Sequence, residues 1–285
     1  QRPLHRVSLT LQDVGFLCPI ATCLLSTRLI PTDCGQGKLW RECGPEYDAL
    51  YGKGSKISRA AVYGLFKSQR GLAEHMKIVY VSRGLKYVYD SGRFSPWMWR
   101  IIRSIAPTFR HVHVPRLFDP TEPNLLLYVG KRSRGKGWET LEAVSDYPVD
   151  GGVVAGISNK PHDFVMDRIA EAAAVVIPSI QCDGLPRVGL EAAAIGTPIV
   201  GSRVGGIPEI VEDGVNGFTF QPGDVAGLRQ AIELVLKPGS MSDATSETIL
   251  PRFSAETACA AMEEFYEADP DRRKAKPWLR VPALA

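Results

Sequence analysis

The stretch Pro178–Pro208, with the sequence PSIQCDGLPRVGLEAAAIGTPIVGSRVGGIP, decides the fold of this chain. The apolar run before it, Ala173–Ile177, predicts a buried strand, and the Pro-Ser pair that follows starts a polar loop. Pro186 suits the first turn of a helix because its missing N–H would be unpaired there, and Gly196 is a natural C-terminal stop. The stretch therefore predicts a strand, a loop and a helix in succession.

Two acidic residues stand at the loop and the helix start. Asp183 lies in the loop, and Glu191 lies about one turn inside the predicted helix. Unpaired backbone N–H groups at a helix start favour negative charge close by. Acidic groups with N–H donors between them suit a ligand that has hydroxyls at both ends and negative charge in the middle. A nucleoside diphosphate sugar is such a ligand.

A glycine-rich turn with four cations lies earlier in the chain. The run Leu125–Val129 predicts a buried strand, and Gly130–Gly137 (GKRSRGKG) follows it directly. Apolar residues then recur at helical spacing, at Trp138, Leu141 and Val144. A glycine-rich turn that carries cations at a helix start is a phosphate site on general grounds.

Strands and helices alternate along most of the chain. Further strands are predicted at Arg6–Leu11, Lys77–Val81, His111–Val114, Gly152–Gly156 and Pro198–Gly201. Helices are predicted at Ser58–His75, Ser82–Tyr89, Asp163–Ala172, Pro208–Gly214, after the cap residue Asp224, and at Phe253–Ala268. This alternation with glycine-rich crossings predicts an α/β fold with a parallel, doubly wound sheet whose site lies at the carboxyl ends of the strands.

The segment Arg93–Arg103 (RFSPWMWRIIR) is both basic and aromatic. We interpret it as a helix, with two alternatives for its role. Its tryptophans could pack between domains, or the helix could lie on an anionic membrane surface. Packing between domains is favoured, because the segment is short and apolar side chains in a basic region also need a core.

Composition limits the classes of protein. With 45% apolar and 23% charged residues, the chain is an ordinary globular protein, and it has no apolar run of about 18 residues that would span a membrane. Residues 1–120 hold 18 Lys and Arg against 8 Asp and Glu, whereas the rest holds 16 against 23. A basic first part can face an anionic acceptor or a membrane surface, or it can be a solvated surface without a charged partner. Nucleic acid is not expected, since the aromatic residues follow no stacking pattern.

The cysteines and the chain start bear on the compartment. Four of the six cysteines cluster between Cys18 and Cys43, but without the paired C-x2-C units of a zinc site, so we expect no metal. We expect unbridged cysteines, with one or two disulfides as the alternative. No signal peptide is visible, which favours a cytoplasmic protein that can associate with a membrane. The chain begins at Gln1 without Met, and a trimmed start stays open.

Several motifs in one order resemble a known family. Asp183, seven residues and Glu191, then Ala192–Ala194, Gly196 and the run Gly205–Glu209 (GGIPE), resemble the acidic-x7-Glu signature of the retaining glycosyltransferases with the GT-B fold. The resemblance covers roughly residues 124–236. In that family the first acid is usually Glu, and here it is Asp183.

The resemblance implies roles for individual residues. Lys131 and Lys136 match basic residues that grip the donor diphosphate, with Lys in place of the more usual Arg at the first position. Glu191 would bind both ribose hydroxyls, and Asp183 would orient the sugar hydroxyls. The residues implied in donor binding are Gly130, Lys131, Lys136, Gly184, Leu185, Glu191, Gly205 and Gly206.

The first part of the chain is short for that family. Residues 10–13 (TLQD) resemble its Thr-x-His-Asp element, with Gln12 in place of His and Asp13 beside it on the acceptor side. The resemblance implies a GT-B-like fold of two Rossmann-like domains facing a cleft. We expect an abbreviated acceptor-side domain at 1–119, a nucleotide-sugar-binding domain at 120–250, and a C-terminal helix and tail at 251–285 that crosses back. Either the chain is a fragment or its first domain is reduced.

The function implied is a retaining, metal-independent transfer of a sugar from a nucleoside diphosphate sugar to a hydroxyl of a glycan, a lipid-linked acceptor or a small molecule. It needs no cofactor, and no protein base is needed, which suits Gln12. Two other readings stay open. One is another enzyme on the same architecture, such as an epimerase or a phosphorylase. The other is a catalytically reduced nucleotide-sugar-binding subunit that works with a partner chain.

Overall fold

The computed structural model describes residues 8–12, 71–91, 98–104, 124–145, 152–241 and 249–267, together with positions 64, 68, 69 and 96. The described strands form two parallel sheets, which identifies the fold as α/β. Within these ranges, every helix is too short or too polar to cross a lipid bilayer.

The first sheet has three described strands in the order β1-β2-β3, and all pairs are parallel. These strands are β1 at Ser8–Leu11, β2 at Lys77–Tyr80 and β3 at Met98–Ile101. Helix α1, Arg83–Ser91, follows β2. Ser82 caps this helix as its position predicts, because its Oγ accepts a hydrogen bond from the backbone N–H of Leu85 at 3.1 Å.

The second sheet contains five described parallel strands in the order β5-β4-β6-β7-β8. The strands are β4 at Asn124–Val129, β5 at Gly152–Ile157, β6 at Ala174–Ile177, β7 at Ile199–Ser202 and β8 at Gly217–Phe220. The helices are α2 at Trp138–Ser145, α3 at His162–Glu171, α4 at Arg187–Ile195, the short α5 at Ile207–Ile210, and α6 at Val225–Leu236.

Helices cover both faces of the second sheet. On one face, α3, α4 and α5 pack on side chains such as Leu127, Val175 and Ile199. On the other face, α2 and α6 pack on alternate residues such as Leu126 and Val176. Because successive strand residues point to opposite faces, the near-continuous apolar strands supply both cores, as in other parallel sheets.

The last described helix, α7 at Ala255–Glu267, returns to the first sheet. The Nζ atom of Lys77 donates to the backbone oxygens of Phe265 and Tyr266, both at 3.0 Å. These carbonyls lie at the C-terminal end of the helix, where cations are favoured. Phe265 packs in the core with Val79 of β2, whereas Cys259 of the same helix is exposed. Helix α7 is therefore held against the first sheet.

The predicted helix at 93–103 is wrong where the structure describes it, because residues 98–101 form β3. Trp99 and Ile101 pack on the core that contains Tyr80, and Ile102 packs on the α7 side with Phe265. Neighbouring side chains that pack on opposite sides of a short aromatic and β-branched run are typical of a strand. The sequence alone did not separate helix from strand here, because periodicity does not decide between them in so short an apolar run. The membrane-bound helix loses its basis with this correction.

Strand β8 was not predicted from the sequence. Its four residues, GFTF, are bounded by glycine and have no long apolar run, so only pairing with β7 reveals it. Other predictions lie outside the described residues, namely the strand at His111–Val114, the cysteines between Cys18 and Cys43, Asp13 and most of Ser58–His75. The domain boundaries at 119 and 250 stay predictions.

Candidate functional site at the strand-order reversal

A crevice is expected where the strand order of the second sheet reverses. The chain runs from β4 to β5 at one edge and then returns to β6 on the other side of β4. Helix α2, after β4, covers one face, and helix α4, after β6, covers the other. The loops that follow β4 and β6 therefore separate at the carboxyl ends, which is where ligands bind in open parallel sheets.

Lys136 and Asp183 meet between these two loops. The Nζ atom of Lys136 lies 2.6 Å from Oδ1 of Asp183. Ser179 donates its hydroxyl to the other carboxylate oxygen at 2.6 Å, and the side-chain amide of Gln181 lies 3.4 Å from Oδ1. The Asp183 side chain is 11% exposed and that of Lys136 37%. The lysine therefore keeps donors that point to solvent, because an ammonium group has three.

Backbone contacts hold the two loops together. The carbonyl oxygen of Gly135 accepts hydrogen bonds from the backbone N–H groups of Ile180 and Gln181, both at 3.0 Å. Gly137 ends the 3-10 turn Arg134–Lys136 with φ +74°, and a Cβ there would lie 1.7 Å from the carbonyl oxygen of Pro178. Glycine at position 137 is thus needed for close packing of the turn against the loop between β6 and α4, which carries Asp183.

Glu191 is a buried carboxylate in the second turn of α4. The residue is 7% exposed, and among the described residues its ion pair is with Arg187, whose Nε lies 4.0 Å from Oε1. Burial raises the pKa of Glu191 above its ordinary value, and the positive charges of His162 and Arg187 offset this in part. A buried carboxylate with so distant a cation costs stability, which is typical of a functional position.

The negative charge of Asp183 contributes to the raised pKa of two neighbouring side chains. Burial, with a smaller contribution from the Asp183 carboxylate, raises the pKa of the Tyr128 hydroxyl to about 12 and that of the Cys182 thiol to about 12. Tyr128 donates its hydroxyl to the backbone oxygen of Lys131 at 2.7 Å, which fixes the turn after β4. Cys182 is 3% exposed and is therefore a packing residue.

The paired glycines of GGIPE support the Asp183 loop from below. Gly205 has φ +59°, and a Cβ there would lie 1.9 Å from the carbonyl oxygen of Asp183. The backbone N–H of Gly206 donates to that same oxygen at 2.8 Å. Since this N–H is already used, Gly206 positions the loop, and a direct donation to a ligand is not available from it in this arrangement.

The first sheet approaches the same loop. A Cβ added to Gly184 would lie 2.0 Å from the carbonyl oxygen of Gln12, at the end of β1. The structure thus places Gln12 beside Gly184 in the loop that carries Asp183. Gly130 continues the pairing of β4 and β5, because its N–H donates to Ile157 at 3.0 Å.

The predicted site residues fall into two groups. Lys136, Asp183, Gly184, Gly205 and Gly206 are brought together around one loop. Three other predicted residues lie around them. Lys131 is exposed in the turn after β4, Leu185 is 8% exposed beside the loop, and Glu191 lies within α4, with its ion pair to Arg187.

Sequence reasoning missed three residues. Ser179 orients the Asp183 carboxylate, and only its position four residues earlier could have suggested this. Arg103 and Glu209 pair between the two sheets at 2.8 Å, and their separation of 106 residues gives no local signal.

The two parallel α/β sheets, with loops that meet at the carboxyl ends of the strands, have the arrangement of the GT-B fold. The model of the Glycosyl transferases group 1 family matches residues 111–237. That part of the chain, which contains the loops after β4 and β6, is thus similar to this family of glycosyltransferases.

Several known proteins are similar to this chain. Glycogen synthase of Mycobacterium tuberculosis is 32% identical over 132 residues, which are 45% of this chain and 31% of that protein. Sucrose-phosphate synthase from Thermosynechococcus elongatus has a similar structure, with a TM-score of 0.59 and 21% identity over 75% of this chain and 63% of that one. The structure of Anabaena HepE in complex with UDP and glucose is similar with a TM-score of 0.56 and 17% identity, over 71% of this chain and 66% of that one. The chain thus spans less than a third of the first curated relative.

Proposed function

We propose that this chain is part of a retaining glycosyltransferase that moves a sugar from a nucleoside diphosphate sugar to an acceptor hydroxyl. The observation that carries the proposal is the Lys136–Asp183 pair between the loops after β4 and β6, within the segment that matches the family. A cation for a diphosphate and a carboxylate for sugar hydroxyls stand side by side there. The HepE complex with UDP and glucose supports a donor of this kind.

Each proposed role follows from the chemistry of its side chain. Lys136, with Lys131 in the neighbouring turn, neutralises the diphosphate and so stabilises the leaving group without a metal ion. Glu191 accepts hydrogen bonds from the two ribose hydroxyls, a geometry that suits a carboxylate. Asp183 and the backbone N–H groups of Gly184 and Leu185 orient the sugar.

Retention of configuration follows from attack on the face that the diphosphate leaves. The bond between the anomeric carbon and the phosphate oxygen breaks, the acceptor oxygen bonds to that carbon on the same face, and its proton passes to the departing phosphate. The protein then supplies no base, in agreement with Gln12 beside Gly184. The acceptor is a glycan, a lipid-linked sugar or a small molecule.

The test combines binding and turnover. Isothermal titration with UDP, GDP and ADP identifies the base, and release of the nucleotide from the matching donor sugars measures turnover. Glu191→Ala should weaken nucleotide binding by about 10-fold or more, because two charge-assisted hydrogen bonds are lost. Glu233→Ala, which removes an exposed carboxylate of α6, is the matched control and should bind as the wild type does.

The outcomes separate the readings. Nucleotide binding with sugar transfer supports the transferase. Nucleotide binding without turnover of any donor identifies a nucleotide-sugar-binding subunit, the alternative function. If no nucleotide binds, or if Glu191→Ala leaves both activities intact, the proposal is rejected.

A further inference from the structure

The carboxylate of Glu209 joins the second sheet to two elements of the first. Glu209 lies in α5, and its Oε1 accepts a hydrogen bond from the backbone N–H of Arg83, the first residue of α1. Its Oε2 accepts from Nε of Arg103 at 2.8 Å and lies 2.8 Å from the terminal nitrogen of the same guanidinium. Arg83 follows β2 and Arg103 follows β3, so one side chain holds two segments of the first sheet.

This contact is more sheltered from solvent than the ion pair between Arg203 and Asp213. The Glu209 side chain is 12% exposed and that of Arg103 24%, whereas the Arg203–Asp213 pair has 50% and 44%. Two guanidinium N–H groups and the N-terminus of a helix all favour the same negative charge. Because the pair is partly desolvated, removal of one partner leaves an uncompensated charge on the other.

Close backbone packing surrounds the contact. A Cβ added to Gly84 in α1 would lie 1.9 Å from the carbonyl oxygen of Gly205. Gly205 in turn packs under the carbonyl of Asp183, and Gly206 donates to it. A shift of the first sheet relative to Glu209 would therefore be transmitted directly to the loop that carries Asp183.

Helix α7 makes a second set of contacts with the first sheet. Lys77, at the start of β2, binds the carbonyls at the end of α7, and Arg100 forms an ion pair with Glu264 of that helix at 2.7 Å. The Lys77 contact lies at the amino end of β2, at the opposite end of that strand from Arg83, which allows α7 to act as a hinge. Glu209 acts at the carboxyl ends, on the side of the crevice.

We propose that Glu209 is a positioning residue that clasps the first sheet over the donor site and so sets the acceptor side against Asp183. The inference rests on the proposed function, since the first sheet must bring the acceptor to the donor. It goes beyond that function by assigning a residue that touches no substrate. The hinge is α7 and the clasp is the contact of Glu209 with Arg103 and α1.

The distance between the two sheets tests the clasp without any substrate. Spin labels on genetically encoded keto amino acids at Tyr87 of α1 and Gln230 of α6, both exposed, leave all cysteines unchanged. Double electron–electron resonance spectroscopy should give a narrow distribution of distances between the two spin labels in the wild type. Glu209→Gln and Arg103→Met should each broaden or lengthen it, because either change removes the ion pair. Glu212→Gln, which removes a carboxylate whose partner is the exposed Arg252, should leave it unchanged.

Two functional readouts exclude a merely structural role. UDP affinity should stay within about twofold of the wild type in Glu209→Gln, because the nucleotide contacts lie on the second sheet, while turnover of the donor sugar should fall about 10-fold or more. Arg103→Lys should keep more turnover than Arg103→Met, since lysine keeps the positive charge. If GDP or ADP is the nucleotide bound, it replaces UDP as the probe.

The inference is overturned if both Glu209→Gln and Arg103→Met keep the wild-type distance distribution. Arg103→Met acts from the first sheet, so it keeps the test decisive should Glu209→Gln fail to fold, as judged by circular dichroism. If the wild-type protein binds no nucleotide, the proposed function is rejected. The distance measurement would still test whether Glu209 holds the first sheet in place.

Discussion

Lys136 and Asp183 are 47 residues apart in the chain, and their side chains form an ion pair of 2.6 Å between the loops after β4 and β6. The pair neutralises two charges that would otherwise face each other across a crevice. It also preorganises the site, because the lysine is held in place before any ligand arrives. An incoming diphosphate would share the ammonium group with Asp183.

Removal of the Lys136 ammonium should weaken diphosphate recognition selectively. We expect Lys136→Ala to lower the affinity for the nucleoside diphosphate by about 10-fold or more and that for the nucleoside by less than about twofold, because only the former has the charge that the lysine binds. Isothermal titration of both ligands measures the difference. Lys237→Ala, which removes an exposed lysine after α6, is the control. Equal losses for the two ligands would argue against a diphosphate grip.

Neutralisation of Glu191 should stabilise the protein while it impairs ligand binding. Since burial raises the pKa of Glu191 in the fold, the fold favours the protonated form, and the ionised form lowers stability as pH rises above the ordinary value of 4.5. Glu191→Gln should therefore raise Tm at pH 7 by roughly 1–3 °C for a chain of this size. Nucleotide affinity should fall in the same variant.

Thermal scans at several pH values check the sign of this effect. The advantage of Glu191→Gln over the wild type should shrink as pH falls towards 4.5, where the wild-type carboxyl becomes protonated. Glu233→Gln, at an exposed position, should give no such trend. A wild type that is more stable than Glu191→Gln at pH 7 would contradict the prediction.

The buried ammonium of Lys77 should matter for stability and little for nucleotide affinity. Lys77→Met keeps most of the apolar stem but leaves the carbonyls of Phe265 and Tyr266 without this donor. Loss of bonds to a buried donor costs about 1–3 kcal/mol of unfolding free energy. Urea denaturation measures the loss, and Lys86→Met, which alters a part-exposed lysine of α1, is the comparison. An unchanged midpoint would show that α7 is held by other contacts.

The two cysteines that the structure describes should react very differently. Burial raises the pKa of Cys182 to about 12, so its thiolate is scarce at pH 8, whereas Cys259 is exposed on α7. Iodoacetamide should modify Cys259 in the native protein and spare Cys182. Peptide mass spectrometry measures both sites, with urea-unfolded protein as the control in which both react. Rapid native modification of Cys182 would mean that the Asp183 loop opens.

The local elements of the second sheet were predictable because their signals are local. The apolar run of β6, the proline before α4 and the glycine after it gave that unit within one or two residues of its observed bounds. Asp224 caps α6 as expected, since its carboxylate accepts from the backbone N–H of Gly227 at 3.0 Å. The candidate residues around Asp183 were likewise found from spacing and from resemblance to a family.

Other features depend on contacts between distant segments. The run at Met98–Ile101 is a strand because β2 offers it a partner, and its own periodicity is too short to choose. Glu209 appeared in the sequence only as part of a glycine-rich motif, and its partner Arg103 precedes it by 106 residues.

Local chemistry in the sequence therefore determined the α/β class, the order of most elements and the loop that carries the candidate site. Those features need only backbone preferences and burial within a few residues. Tertiary structure alone decided which charges meet, namely Lys136 with Asp183 and Arg103 with Glu209. Such pairs depend on the orientation of whole sheets, and no pattern within a short window of sequence specifies that orientation.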